Sequence, residues 1–243
     1  MTNTTYTPSA PFPSAEPGDA VRELHRLMSL MTGDEKHSTA ATSTLDALWV
    51  LYDRVLRVSP GTVDDQGRDR FLLSKGHGPM AYYAVLAAKG FLGEELLGGF
   101  GAYGSPLGYH PDRTLVPGAE ISSGSLGHGL PLAVGSVLGL RAQGLTDPRV
   151  WVLIGDAELD EGSNHEAIGY AGPAGLEQLH TLVIDNSSAT YGWPGGIASR
   201  FEAAGWSAET VDGRDHEALY AAFTAPHPGR PRAVVARVEA QDA

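Results

Sequence analysis

The chain has 243 residues, no cysteine and a formal charge of −12 at neutral pH. That length suits one large domain or two small ones with ample core. The acidic balance, with no Lys/Arg cluster, argues against a nucleic-acid or anionic-membrane surface. Without cysteine there is no disulfide framework, thiolate nucleophile or Cys-type zinc site. No apolar run is long enough to span a bilayer, and the first residues lack the basic-then-apolar order of a secretory signal, so a soluble cytoplasmic enzyme is the expectation.

Residues 1–17 are largely Thr, Ser and Pro with little to bury, and read as a disordered tail; 18–243 read as the folded domain. Val21, Leu24, Met28 and Met31 recur at helical spacing before Gly33, which predicts a helix over 19–32. Ser43-Thr44-Leu45-Asp46 has the form of a capping box opening a second helix, with Leu45, Leu48, Tyr52 and Val55 on its inner face. Between the two lies His37, a loop histidine. Phe71-Leu72-Leu73-Ser74 predicts a short strand, and Ser74-Lys75-Gly76-His77-Gly78 introduces a helix with Pro79 in its first turn. Such a helix start offers free backbone N–H groups to an anion, and Gly76 and Gly78 let it come close.

His110 sits in a Gly/Pro loop, Gly108-Tyr109-His110-Pro111-Asp112. The run from Ile121 to Gly129 opens a helix to about residue 143, whose small residues Gly127, Gly129, Ala133, Gly135 and Gly139 permit close packing, as at a subunit contact. Val150-Trp151-Val152-Leu153-Ile154 is uniformly apolar and reads as a strand buried on both faces of a parallel sheet. A helix over 166–175 and a second such strand, Thr181-Leu182-Val183-Ile184, follow. The remainder predicts a glycine-rich loop over 185–196, a strand over 206–211, a helix over 216–224 and a last strand over 232–238. This alternation predicts an α/β fold, a mostly parallel sheet sandwiched by helices.

The first central strand ends in Gly155-Asp156-Ala157-Glu158, and the second delivers Asp185-Asn186. If the strands are parallel neighbours, Asp156 and Asn186 emerge together at the carboxyl edge, where open α/β sheets bind ligands. One carboxylate and one amide oxygen suit Mg²⁺, which binds few protein oxygens and completes its shell with water and phosphate. Asp156, Glu158 and Asp160 alternate as in a calcium loop, but Glu161 stands where that loop wants Gly and Ala167 where it wants Glu. The bland alternative is a Gly-Asp turn and helix cap. No Gly-x-Gly-x-x-Gly turn marks a dinucleotide fold.

Gly155-Asp156-x-Glu158 followed by Asn186, with Leu159-Asp160-Glu161-Gly162 and Glu166-Ala167, resembles the thiamine diphosphate signature as it stands in transketolase. Three further motifs continue the likeness in order: Ser74-Lys75-Gly76-His77-Gly78, the stretch from Gly104 to Asp112, and Ser123-Gly124-Ser125-Leu126-Gly127-His128-Gly129. Together they resemble the amino-terminal part of a split transketolase. The resemblance implies thiamine diphosphate and Mg²⁺ as cofactors. It implies cofactor contacts from His77, Gly124, Ser125, Leu126, Gly155, Asp156, Ala157 and Asn186, with Leu126 near the aminopyrimidine. Asp156, Asn186 and a backbone oxygen of Ser188 would hold the metal, and His37 and His110 would meet the substrate. Glu161 and Glu166 match family residues at the subunit contact.

The sequence departs from the family pattern at Ser38-Thr39 (Pro-Gly in the family), Tyr109 (Gly), His128 (Gln) and Ala157 (Gly). Tyr109 is expected to narrow or reshape the pocket beside His110. The family's pyrimidine-binding domain, with its tuning Glu, and a further cofactor-side His loop do not follow within the chain. The resemblance therefore implies a catalytically incomplete subunit that needs a separate carboxyl-terminal transketolase subunit, in an α2β2 assembly. The implied reaction transfers a two-carbon keto fragment from a ketol donor to an aldehyde acceptor, both small molecules. Two alternatives stay open: the alpha-type subunit of a 2-oxo-acid decarboxylating thiamine enzyme, and a non-catalytic scaffold or regulatory subunit that retains the fold.

Overall fold

Five short strands pair side by side, all parallel, in the order β1-β2-β3-β5-β4. They are β1 (Arg70–Leu73), β2 (Val150–Gly155), β3 (Leu179–Asp185), β4 (Ser207–Asp212) and β5 (Arg232–Arg237). The computed structural model describes residues 17–33 and 39–238. Residues 1–16, most of the expected tail, and His37 lie outside them.

Every residue of β2 is buried, as both-face burial requires, and its side chains sort by parity to the two faces. Trp151 and Leu153, with Phe71, Leu73, Leu182, Ile184, Val234 and Ala236, join one apolar cluster. Val150, Val152 and Ile154, with Leu72, Val183, Ala233 and Val235, join the other. Among the described residues, eight helices cover these faces: α1 (Pro17–Ser29), α2 (Thr39–Thr42), α3 (Leu45–Val50), α4 (Met80–Ala88), α5 (Gly129–Ala142), α6 (Gly162–Ala171), α7 (Ile197–Ala203) and α8 (His216–Thr224). The first cluster takes α1, α2, α3, α4 and α8; the second takes α5, α6 and α7. All nine residues of α4 are buried, as expected of a helix apolar all round. The sandwiched parallel sheet expected from the sequence is the architecture observed.

Several local expectations change. The helix predicted over 166–175 is α6, which begins at Gly162 and ends at Ala171. Ser163 and Asn164 look like loop residues, yet their side chains bond back to Gly127 O (2.6 Å) and Glu158 O (2.6 Å) and hold the first turn. Pro173, lacking an N–H and restricting its predecessor, closes the other end. No capping box opens α3: its cap is Thr44, one residue after the expected Ser43, and makes no side-chain cap bond, while Asp46 binds Arg214 and His216 of the β4–α8 turn. After Val50 the helix widens into a five-residue π turn, Leu51–Val55. The short helix α7 has no counterpart in the sequence reading. Among the described residues, no helix is long and apolar enough to cross a membrane.

Candidate thiamine diphosphate and metal site

Four chain segments meet at the carboxyl edge of the sheet. The β1 turn is fixed by Ser74 and Lys75, whose N–H groups both donate to Leu153 O at 2.9 and 3.1 Å. The register pairs Gly155 with Ile184, and Asp156 N–H donates to Ile184 O at 3.0 Å, so Asp156 leaves the sheet beside Asp185 and Asn186. The turn after Asn186 then folds onto Asp156. Its carboxylate accepts Ser188 N–H (2.7 Å) and Ala189 N–H (3.2 Å) on Oδ2, and Ser188 Oγ–H (2.5 Å) and Ala157 N–H (2.9 Å) on Oδ1. Ser187 takes a positive φ of 60° in this tight turn.

Asn186 is 3% exposed, and its Oδ1 has no hydrogen-bond partner. A buried amide oxygen left unpaired costs about 1–3 kcal/mol, so such atoms are rare without a reason. Ser123 Oγ, on the loop before α5, is buried and unpartnered in the same way.

Backbone meets backbone between the β1 turn and that loop. A Cβ on Gly76 would lie 2.7 Å from both Gly124 N and Ser123 Oγ, so only glycine permits the approach. Gly124 has φ +131°, and a Cβ there would stand 3.0 Å from the His110 ring. His110 is thereby laid against Gly124. Burial, then the neighbouring Lys75 and His110, hold the His77 imidazole below its ordinary range. The Tyr109 ring lies on the residues at the end of the preceding 3₁₀ turn. It packs edge-on against Phe100 at 5.3 Å and covers Gly101, so it braces the base of the His110 loop.

Beneath these turns lie a buried ammonium and a buried carboxyl that sequence reasoning passed over. Lys75 is buried, its stem lying over Gly155. Burial pulls its ammonium below the ordinary range, with Asp156 and Glu158 acting the other way. Burial pushes the Glu158 carboxyl up, against hydrogen bonds from Ser74, Gly127 and Gly155 and the Lys75 charge. Nothing in the run Ala157-Glu158-Leu159-Asp160 distinguishes the inward carboxylate from the outward ones; only the 3₁₀ turn Ala157–Asp160 aims it.

Of the residues expected at the site, the fold gathers His77, His110, Gly124, Ser125, Leu126, Gly155, Asp156, Ala157, Asn186 and Ser188 on the turns of one sheet edge. Ser188 addresses Asp156 through its N–H and hydroxyl.

The domain family described as transketolase, thiamine diphosphate binding domain, matches residues 20–239. The chain belongs to that family. Among relatives of this transketolase domain, the Rhodococcoides fascians protein called Ferredoxin fas2 is 59% identical over 221 residues, 91% of this chain and 73% of that protein. A ferredoxin's iron–sulfur cluster needs cysteine thiolates, and this chain has none, so that name does not carry over to the matched part. An apulose-4-phosphate transketolase subunit from Actinobacillus succinogenes is 34% identical over 207 residues, 82% of this chain and 75% of the relative. Transketolase from Leishmania mexicana superposes with a TM-score of 0.69 at 27% identity, over 85% of this chain and 37% of that enzyme. The transketolase-family chain thus spans little more than a third of the solved enzyme, and has relatives that are named as separate subunits.

The residues present fit the expected cofactor group. Among the described residues no three His, Asp or Glu side chains cluster to hold a metal by themselves. A cation at Asp156 and the unpaired Asn186 oxygen would therefore need outside oxygens, which a diphosphate supplies. The four donors on Asp156 hold that carboxylate in one orientation. The glycine-only contact of Gly76 with Gly124 leaves the walls free of side-chain bulk where an anion would enter.

Proposed function

We propose that this chain is the thiamine diphosphate- and Mg²⁺-binding subunit of a split transketolase. It moves a two-carbon keto fragment from a ketol donor to an aldehyde acceptor, and a separate pyrimidine-binding subunit completes the site in an α2β2 assembly. The observation that carries this reading is the orphaned Asn186 oxygen on the strand end next to the Asp156 carboxylate, in a chain of this family. Relatives named as individual transketolase subunits support the two-chain organisation, and a cytoplasmic location accords with a chain free of cysteine.

When bound, thiamine diphosphate supplies the carbanion-stabilising chemistry. The chain's own part is placement. Asp156, Asn186 and a Ser188 backbone oxygen hold the metal, His77 and the N–H groups around Gly124 and Ser125 face the diphosphate, and Leu126 faces the aminopyrimidine. Gly155 and Ala157 form the floor. His110, propped on Gly124, and His37 handle the hydroxyl protons of donor and acceptor.

Turnover of a ketol donor and an aldehyde acceptor tests the proposal, with the chain alone and with a separate pyrimidine-binding transketolase subunit. Activity is expected only in the mixture, and only with thiamine diphosphate and Mg²⁺. Full activity from the chain alone refutes the split organisation. Carbon dioxide release from a 2-oxo acid without an aldehyde points to the decarboxylating alternative, and no cofactor binding even in the mixture points to a scaffold.

A further inference from the structure

One carboxylate lies under all of these turns and touches none of the side chains expected to hold the metal. Glu158 is 1% exposed. Its Oε1 accepts the Ser74 hydroxyl and, at 2.9 Å, Gly127 N–H, while Oε2 accepts Gly155 N–H at 3.3 Å. Ser74 Oγ in turn accepts Gly129 N–H at 2.9 Å, the first residue of α5. The Glu158 carbonyl accepts Asn164 Nδ2–H at 2.6 Å, and Ser163 Oγ–H donates to Gly127 O at 2.6 Å. The β1 turn, the loop into α5, the end of β2 and the first turn of α6 are therefore bonded to one residue or its immediate partner.

We propose that Glu158 is a positioning residue that fixes the separation of the two turns between which the cofactor's diphosphate enters. The inference rests on the thiamine diphosphate reading above and adds to it a residue outside the ligand contacts. Three separate donors converge on the side chain, and only an acceptor-only group with several lone pairs meets all of them. The Lys75 stem crosses Gly155, whose N–H Glu158 accepts. Above this tie the two turns already touch through glycine backbone, Gly76 against Gly124. No side chain fits between them, and the tie prevents them from parting. Cutting it lets the turns sample separations that do not bind, and apparent affinity falls by the fraction of competent chains.

The test uses the full chain, alone and reconstituted with its partner subunit, in wild-type, Glu158→Ala and Glu158→Gln forms. Titration calorimetry with Mg²⁺ and thiamine diphosphate is expected to show Glu158→Ala weakened about 10- to 100-fold, the range for losing an outer-shell support. Gln keeps one acceptor oxygen for Ser74 and Gly127, so Glu158→Gln is expected to recover most of that loss. Hydrogen exchange of the cofactor-free chain reads the tie directly. Glu158→Ala is expected to speed exchange in peptides covering 72–80 and 121–130 while leaving β4 and α8 unchanged, which a merely global loss of stability would not do. Wild-type affinity in Glu158→Ala, or a uniform rise in exchange, overturns the proposal. Should Glu158→Ala fail to fold, Ser74→Ala cuts one strand of the tie. A smaller affinity loss and faster exchange over 121–130 are then expected, and no change in either overturns it. If the wild-type chain binds no cofactor even with its partner, the thiamine reading falls, and the exchange comparison still decides the tie.

Discussion

Gly76→Ala is a one-methyl change whose effect follows from the distance between two turns. The new Cβ would stand 2.7 Å from Gly124 N, where ordinary contact begins at 3.4 Å, so the turns must part by roughly 0.7 Å. The obstacle is a backbone nitrogen and cannot rotate aside. Ser123 Oγ, also at 2.7 Å, blocks the other direction. Overpacking of this kind costs about 1–3 kcal/mol of stability. A displacement approaching 1 Å at a positioned site costs up to about 100-fold in function. Calorimetric titration with Mg²⁺ and thiamine diphosphate is therefore expected to show affinity reduced roughly 10- to 100-fold, with urea unfolding reporting the folding deficit of about 1–3 kcal/mol. Wild-type affinity in a chain whose stability is also unchanged would refute the claim that the backbone contact of these turns sets the cradle.

Two further outcomes follow from buried groups. Asn186→Leu removes an unsatisfied buried oxygen, so the cofactor-free chain should become more stable by about 1 kcal/mol while losing Mg²⁺-dependent cofactor binding; thermal scans with and without Mg²⁺ and thiamine diphosphate check both halves, and a destabilised cofactor-free variant contradicts the reading of that oxygen. His180 is 3% exposed, stacked on Trp151 at 4.2 Å, and burial, then His227 and Arg149, pull its imidazole well below the ordinary range. The unfolded chain therefore binds the proton more readily, and stability should fall as pH drops below about 6.5, the unfolded value. His180→Phe keeps the stack and should flatten the urea midpoint between about pH 7 and 5; an unchanged slope assigns the acid sensitivity elsewhere.

Much of the fold was legible in local pattern. β2 and β3 announce themselves as short apolar runs because a parallel strand covered on both faces has no polar side to show. Gly155-Asp156 and Asn186 were readable as a site because strand ends deliver their next residues to one edge. The start of α6 was not legible, since Ser163 and Asn164 stabilise it through Gly127 and Glu158, one of them 36 residues away. The capping box at Ser43 failed for a similar reason: Asp46 is claimed by Arg214 and His216, which sequence places about 170 residues off. Tyr109 could be recognised as bulky, but its turn onto Phe100 and Gly101 depends on a neighbouring loop.

The sequence by itself determined the parallel α/β sandwich and the edge at which Asp156 and Asn186 emerge. Both depend on hydrophobic period and on breaks in the chain, which are local properties. Only the tertiary structure decided which of several acidic side chains turns inward, how near Gly76 comes to Gly124, and that the Asn186 oxygen is left without a partner. Those are relations between segments far apart in sequence, set by the packing of two apolar clusters on opposite faces of the sheet, and no local pattern encodes them.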